Sequence, residues 1–536
     1  MDRAKMEDLF RRGQPLRAGE RVLFWVPGGM SAMLQFEGLL AAALRLRGVD
    51  VHAVICDGPF IGCILREFKD HVPVALWQQS CSACKAGTSS VLDRLGIPYS
   101  FMGDFVPVEQ RSALRDQASR IAWENVDELG VGDAVRSSVV RFLKGAPLAG
   151  HEEIVPEYAY SALVCEAAAE AAIRALAPSR VIMSHAIYVD WGPALSVALR
   201  NGLPVSAWQG SYLANHFYFR HVSDPNHIDL HNMSDEAWHE QSSLPLDPGH
   251  EAALSTFLAN RYHSKLSSDM RNLHDYSGET EALRARYSGI PGQPVWAIMT
   301  HINWDSAANY APMPYASFDD WILDTIEHVN RIEDVNWLIK IHPAEAWDGS
   351  VSGVHHLVKE RFRSLPPHVR LIPAEEQISP LDFFELLDGA VTVYGTSGLE
   401  IALQRKPVIL AGEAHYGGKG FTLDGLTRES YHALLARAGL IGPLAAEQHL
   451  LAKKYAYAYF IRRQIPLPLR YDIQGQWKFQ VEKREILLPN ADPFVDFVCD
   501  RLLDGRDFVM GDELVARALA QPPASEIPEE ALIAVA

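Results

Sequence analysis

Apolar and polar positions along the chain follow one repeating scheme, in which short, nearly continuous apolar runs end in small or polar residues and give way to segments of helical period. The first run, "RVLFWVPGG", is an apolar strand leading into a glycine turn at Gly28 and Gly29. A helical segment from Phe36 to Arg47 follows, then the strand "VHAVICDG", which ends at Asp57 and Gly58. Together they make a strand–helix–strand unit with polar residues at its strand ends. Residues 100 to 175 are mostly helical in pattern. "RVIMSHAIYVDWGPALSVALRNGLPVSAWQGS" then repeats the scheme, with a strand to Ser184, a helix from about Asp190 and a strand to Trp208.

The pattern restarts near Pro291, after the polar, helical stretch "NLHDYSGETEALRARYSGIPGQP". Strand and helix again alternate: "VWAIMT", a helix near Phe318 to Arg331, "WLIKI", "RLIPA", a helix from Ser379, "AVTVY" and "KPVILAG". The expected fold class is α/β, with two Rossmann-like domains facing each other across a cleft and extra helices. The expected boundaries are a leader at 1–19, an N-terminal domain at 20–288 with its helical insert at about 100–175, a C-terminal domain at 289–470, and helices and tail at 471–536. In such sheets ligands sit beyond the carboxyl ends of the strands, so the polar residues at those ends carry the information.

Length agrees with this division, because 536 residues exceed what one core supports. A formal charge of −18 argues against a nucleic-acid partner, which needs a concentrated basic surface. No apolar run is long enough to cross a bilayer and the N-terminus lacks a secretory core, so a cytoplasmic protein is expected. Within the leader, Arg3, Lys5, Arg11, Arg12 and Arg17 alternate with Met6, Leu9 and Phe10. It reads either as a frayed, solvated segment or as one lying peripherally on the inner, anionic face of a membrane. The C-terminal "QPPASEIPEEALIAVA" reads as a loosely held tail.

Four strand-end loops of the second half should share one rim: "THINWDS" from Thr300, "KIHPAE" from Lys340, "YGTSGLE" from Tyr394 and "GEAHYGGKGFTLD" from Gly412. The stiff His342-Pro343 turn can present an imidazole to a phosphate or carboxylate. In "VTVYGTSGLEIALQRKPVIL" an apolar strand breaks at small hydroxyl and glycine residues, which places Thr396 and Ser397 at a helix N-terminus, where anions bind. Helix capping by the same hydroxyls is the plainer alternative.

The residues "WDS", "IHPAE" and "YGTSGLEIALQRKPVILAGEAHYGGKGFTLD" resemble the donor half of capsule polysaccharide biosynthesis proteins, the group that includes bacterial Kdo transferases. The His-Pro and paired hydroxyl signatures are also similar to those of GT-B sialyltransferases and, more distantly, of CDP-glycerol polymerases. The resemblance is strong over about residues 295 to 425. It implies a GT-B glycosyltransferase that takes a nucleotide sugar, most often a CMP-sugar such as Kdo or a sialic-acid-like sugar, and passes it to a glycan or glycolipid acceptor. No cofactor is required for that chemistry.

Carried over by position, the resemblance assigns His342 to the nucleotide phosphate and Thr396 and Ser397, in the turn that includes Gly398, to the same phosphate. Glu400 would accept hydrogen bonds from two ribose hydroxyls, and Lys419 would reach a sugar carboxylate or a phosphate. Lys340 either offsets phosphate charge or is simply solvated. The sialyltransferase acid motif is not clearly present: Asp57-Gly58 and Asp190 come nearest. Asp57 and His185 are therefore the candidates to take the acceptor's proton, and each also reads as a satisfied structural group. A nucleotide-sugar epimerase of the same architecture and a non-catalytic carbohydrate-assembly partner are the competing readings.

Cys56, Cys63, Cys81 and Cys84 fall close together, and the last two form a Cys-x-x-Cys. They read either as four thiolate ligands of a structural zinc or as reduced free thiols.

Overall fold

The computed structural model describes residues 3–520, except 18, 214, 263–275, 306–309, 348–349, 468, 472–476 and 480, together with 533–534. Most of the expected C-terminal tail and Ser306 of the "WDS" motif lie outside the described residues. The chain forms two compact units. The first comprises Met1–Phe142, Leu148–Leu230 and Arg463–Ala536, and the second Leu143–Pro147 and His231–Arg462.

The first unit is built on strands β1 (Arg21–Val26), β2 (Asp50–Ile55), β3 (Tyr99–Phe101), β4 (Arg180–Ser184), β5 (Val205–Gly210) and β6 (His216–Val222). A last strand, β13 (Ile465–Pro466), completes the sheet order β13-β6-β5-β4-β1-β2-β3. The strands from β3 to β5 run parallel, whereas β6 and β13 are antiparallel additions at one edge. The near-continuous apolar runs become strands buried on both faces, as the helices on either side of a parallel sheet require. The expected helical insert is present as Met102–Phe105, Val108–Ala118, Gly132–Leu143 and Ile154–Leu176.

The leader is neither frayed nor available to insert its apolar face in a membrane. Residues Arg3–Arg11 form a helix that buries Met6 and Leu9, and the Arg45 guanidinium lies 4.1 Å above the Phe10 ring. Among the described residues no helix is long and apolar enough to cross a membrane.

The second unit carries β7 (Val295–Met299), β8 (Asn336–Lys340), β9 (Val369–Ile372), β10 (Gly389–Thr392), β11 (Val408–Leu410) and β12 (Leu423–Asp424). All pair in parallel, in the order β12-β11-β10-β7-β8-β9. Two α/β units with mainly parallel sheets are thus found where the alternation placed them.

The expected boundary at residue 288 is displaced. The chain changes unit after Leu230, because the helices Asp235–Ser243, Pro248–Arg261 and Thr280–Tyr287 are anchored to the second unit. Arg284 donates to the Leu386 carbonyl at 2.9 Å, and Asp382 accepts from the backbone N–H groups of Ser277 and Gly278. The C-terminal segment likewise returns to the first unit at Arg463, where β13 pairs with β6 and Asp496 meets the buried Arg47 guanidinium. Local periodicity carries no trace of either exchange, since an amphipathic helix shows the width of its apolar face but not its partner.

Candidate functional site

The carboxyl ends of β7, β8 and β10 gather the informative side chains of the second unit. The Thr300 hydroxyl donates to the Lys340 carbonyl at 3.2 Å and accepts from the His342 N–H at 3.0 Å, stitching the ends of β7 and β8 together. Beside it, His301 Nε2 accepts from the Tyr394 N–H at 3.1 Å and lies 3.3 Å from the Thr392 hydroxyl. The His301 ring stacks on Phe318 with centroids 4.7 Å apart. Burial first, and the like charge of His342 second, push the His301 pKa down to about 3. An imidazole that accepts through Nε2 is neutral, as that shift requires.

His342 is held differently. Its Nδ1 accepts from the Ala344 N–H at 3.2 Å, which leaves Nε2 as the proton-bearing nitrogen. Burial pushes its pKa down to about 4, with Asp305 opposing and Lys340 adding to the shift. The ring is therefore a neutral hydrogen-bond donor over the whole neutral range. Lys340 is buried rather than solvated: its Nζ donates to the Pro373 carbonyl at 3.2 Å, and burial lowers its pKa to about 8.

The helix Thr396–Ala402 has only 7 residues, so its dipole contributes little. Its N-cap is Gly395, which has no side chain, so neither hydroxyl occupies the N-cap position itself. The Ser397 hydroxyl lies only 3.2 Å from where a Gly395 side chain would begin.

Gly398 has a packing role that its place in the turn does not announce. A Cβ there would stand 2.1 Å from the Tyr416 hydroxyl, which donates to the Gly395 carbonyl at 2.6 Å and so holds the turn closed. Gly398→Ala is expected to cost about 1–3 kcal/mol of stability by overpacking. Urea denaturation should show much of that loss recovered in the Tyr416→Phe background, where the clashing oxygen is gone.

Glu400 is not free for a ribose. Arg261 Nε donates to its Oε1 at 2.6 Å, and the two side chains are 5% and 3% exposed. The carboxylate faces the buried side of its helix and ties it to the helix Pro248–Arg261. Lys419 also has a partner, Asp235 at 3.0 Å, but that carboxylate is 99% exposed. The Lys419 side chain is itself only 9% exposed, so the ammonium is held against the protein while its partner carboxylate stands in solvent.

In the first unit, Asp57 accepts from the Gly103 N–H at 2.9 Å and fixes the turn after β3, which is a structural task. His185, just beyond β4, is only partly buried and has a φ of 51°, followed by Ala186 at 62° and Tyr188 at 37°. Three non-glycine residues in the left-handed region within four positions store backbone strain, as functional sites often do. The His185 ring stacks on Trp191 at 5.4 Å.

Cys56, Cys63, Cys81 and Cys84 line one cavity together with Arg66 and Asp190. Yet among the described residues no group of three or more His, Cys, Asp or Glu side chains is placed to hold a metal ion. All four are free thiols, and burial raises the pKa of Cys56 to about 12 and that of Cys63 further still, so both are held protonated. The spacing that suggested zinc brings the thiols to one wall without a shared coordination point.

Sequence reasoning quoted the loop containing His301 without choosing it, and it missed Thr300, Thr392 and Tyr416 as supports. Their signal was positional: polar residues at or just past the ends of apolar strands.

The same segment has recognisable relatives. Residues 267–452 match the family of capsule polysaccharide biosynthesis proteins. The match spans about a third of the chain and includes His301, His342, Ser397 and Lys419. No curated protein matches the chain. Among solved structures, the beta Kdo 2,4 transferase KpsC of Thermosulfurimonas dismutans is 18% identical, with 52% of this chain and 79% of that one covered and a TM-score of 0.34. The beta Kdo 2,7 transferase KpsC of the same organism is 14% identical over 53% and 78%, with a TM-score of 0.29. The UDP-GlcNAc 2-epimerase of Neisseria meningitidis is 10% identical over 77% and 88%, with a TM-score of 0.24.

Proposed function

We propose that the chain is a glycosyltransferase of surface polysaccharide or glycolipid synthesis, and that its second unit binds a nucleotide-activated sugar, with a CMP-sugar of the Kdo or sialic-acid kind as donor. The observation that carries this reading is the His342 tautomer, which presents Nε2–H at a strand end of the segment related to capsule polysaccharide biosynthesis proteins. A phosphate oxygen accepts from such a neutral donor without displacing a counter-ion. Ser397 and Thr396 add hydroxyl donors, and Lys419, released from Asp235, supplies the positive charge for a sugar carboxylate or phosphate. Glu400 has no part in this assignment.

In the first unit, His185 is our choice over Asp57 for the group that takes the acceptor hydroxyl's proton, because Asp57 is engaged by Gly103 and His185 sits on strained backbone. Transfer then makes the glycosidic bond as the bond to the nucleotide phosphate breaks. The proton passes to His185, and the nucleotide leaves with the bonding electrons.

Calorimetric titration with CMP, CDP, UDP and GDP tests the donor site. One nucleotide, CMP by this reading, is expected to bind, and His342→Ala and Ser397→Ala are each expected to weaken it about tenfold, near 1.4 kcal/mol, with unchanged melting temperature for Ser397→Ala and a lowered one for His342→Ala, which leaves the Ala344 N–H without its acceptor. Equal affinity in both variants would remove these residues from the site. Sugar transfer to an acceptor that persists in His185→Asn at the wild-type rate would remove His185 from the chemistry.

A further inference from the structure

The four-thiol cavity of the first unit is left without a role by the proposed transfer reaction. Cys81 and Cys84 stand one turn apart at the start of the helix Cys81–Leu95, and both side chains are partly exposed. An Arg66 nitrogen lies 3.7 Å from Cys81 Sγ, while the same guanidinium is fixed by the Ile61 carbonyl and the Ser80 hydroxyl at 3.1 and 2.9 Å. The guanidinium is in contact with Cys81, and its charge also acts on Cys63 and Cys84, whose thiols burial nevertheless pushes up. Cys56 Sγ instead accepts from the Gly58 N–H at 3.3 Å, and burial holds Cys56 and Cys63 protonated.

We propose that Cys81 and Cys84 are a reversible dithiol–disulfide pair, oxidised by low-molecular-weight disulfides of the glutathione type. The Cys81 thiolate attacks one sulfur of the external disulfide, its S–S bond breaks, and one thiol leaves. Cys84 then loses its proton to solvent and attacks Cys81 Sγ, forming the intramolecular bond and releasing the second thiol. Two electrons pass from the protein to the external disulfide, and two small thiols result.

The pairing has a structural consequence. Side chains one helical turn apart have Cβ atoms about 5–6 Å apart, whereas a disulfide needs about 3.5–4.5 Å. The first turn must therefore tighten. Cys84 Sγ lies 3.3 Å from the position of a Cβ on Gly29, and the Cys84 carbonyl accepts from the Thr88 hydroxyl, which itself accepts from the Gly29 N–H at 3.4 Å. Tightening withdraws this support from the Gly28–Gly29 turn at the carboxyl end of β1, the edge of the sheet where ligands bind in α/β folds.

The test is peptide mapping of the full chain after incubation with glutathione disulfide and alkylation. The peptide containing Cys81 and Cys84 is expected to lose two hydrogen atoms and to resist alkylation at both residues, with dithiothreitol reversing the change. Cys56→Ser and Cys63→Ser are expected to behave like the wild type, and Cys84→Ser to stop at a glutathione adduct on Cys81. Free alkylation of both residues after oxidation, a bond to Cys56 or Cys63, or an adduct on a different cysteine in Cys84→Ser would each overturn the assignment. Hydrogen exchange at Gly28 and Gly29 is expected to quicken on oxidation, and an unchanged rate would overturn the link to the turn.

Discussion

Arg261→Ala is expected to lower the unfolding free energy by about 3–5 kcal/mol. Arg261 Nε and Glu400 Oε1 are 2.6 Å apart, with almost no exposure of either side chain. Truncating the arginine leaves a carboxylate buried without its counter-charge, and that uncompensated charge, rather than the lost contact, sets the size of the effect. Replacing both partners by apolar residues, Arg261→Met with Glu400→Leu, is therefore expected to restore most of the loss. Urea denaturation with an unchanged m-value measures both effects, and a loss below about 1 kcal/mol for Arg261→Ala would show that the pair is not buried as described. The same series judges the ribose reading of Glu400. If Glu400→Gln weakened a ribonucleotide but not its 2′,3′-dideoxy analogue, without loss of stability, the carboxylate would be a ligand-binding group after all.

Glu400 also shows what was legible in the chain and what was not. The inner strands of the second unit lie where their apolar runs do, because a strand buried on both faces needs a continuous run and little else produces one in five residues. The positions of His342 and Ser397 beyond those runs follow from the same fact. The partner of Glu400 does not, since Arg261 lies 139 positions away on a helix that the expected boundary at residue 288 left in the other domain. The tautomers of His301 and His342 were equally out of reach. Each is fixed by one backbone N–H, of Tyr394 and Ala344, whose direction depends on the turn that delivers it. The cysteines are close in space as they are in sequence, and among the described residues no group of three or more metal-binding side chains is placed to hold an ion.

Acidification from pH 7 to pH 5 is expected to destabilise the wild type relative to His301→Gln. The native fold keeps His301 neutral down to about pH 3 and His342 down to about pH 4, by burial in both cases. In the unfolded chain both imidazoles take a proton near pH 6.5. Below that value the unfolded state binds more protons than the native one, so stability that is fully present above pH 6.5 is lost as pH falls toward the native values. Each histidine contributes a slope of up to about 1.4 kcal/mol per pH unit. Glu345, which burial raises to about 7, acts with the opposite sign, because its native form takes up a proton before the unfolded form does. The absolute slope of the wild type therefore mixes the two, and the difference between wild type and variant isolates the histidine. Glutamine is the replacement of choice, since its amide oxygen can still accept from the Tyr394 N–H and spare the fold an unpaired backbone donor. Urea denaturation at pH 7, 6 and 5 should show the stability difference between the two proteins shifting in favour of His301→Gln at each step below pH 6.5. A difference that stays constant across the series would mean that His301 takes up its proton in the native protein as it does in the unfolded chain, and that its Nε2 does not accept from Tyr394.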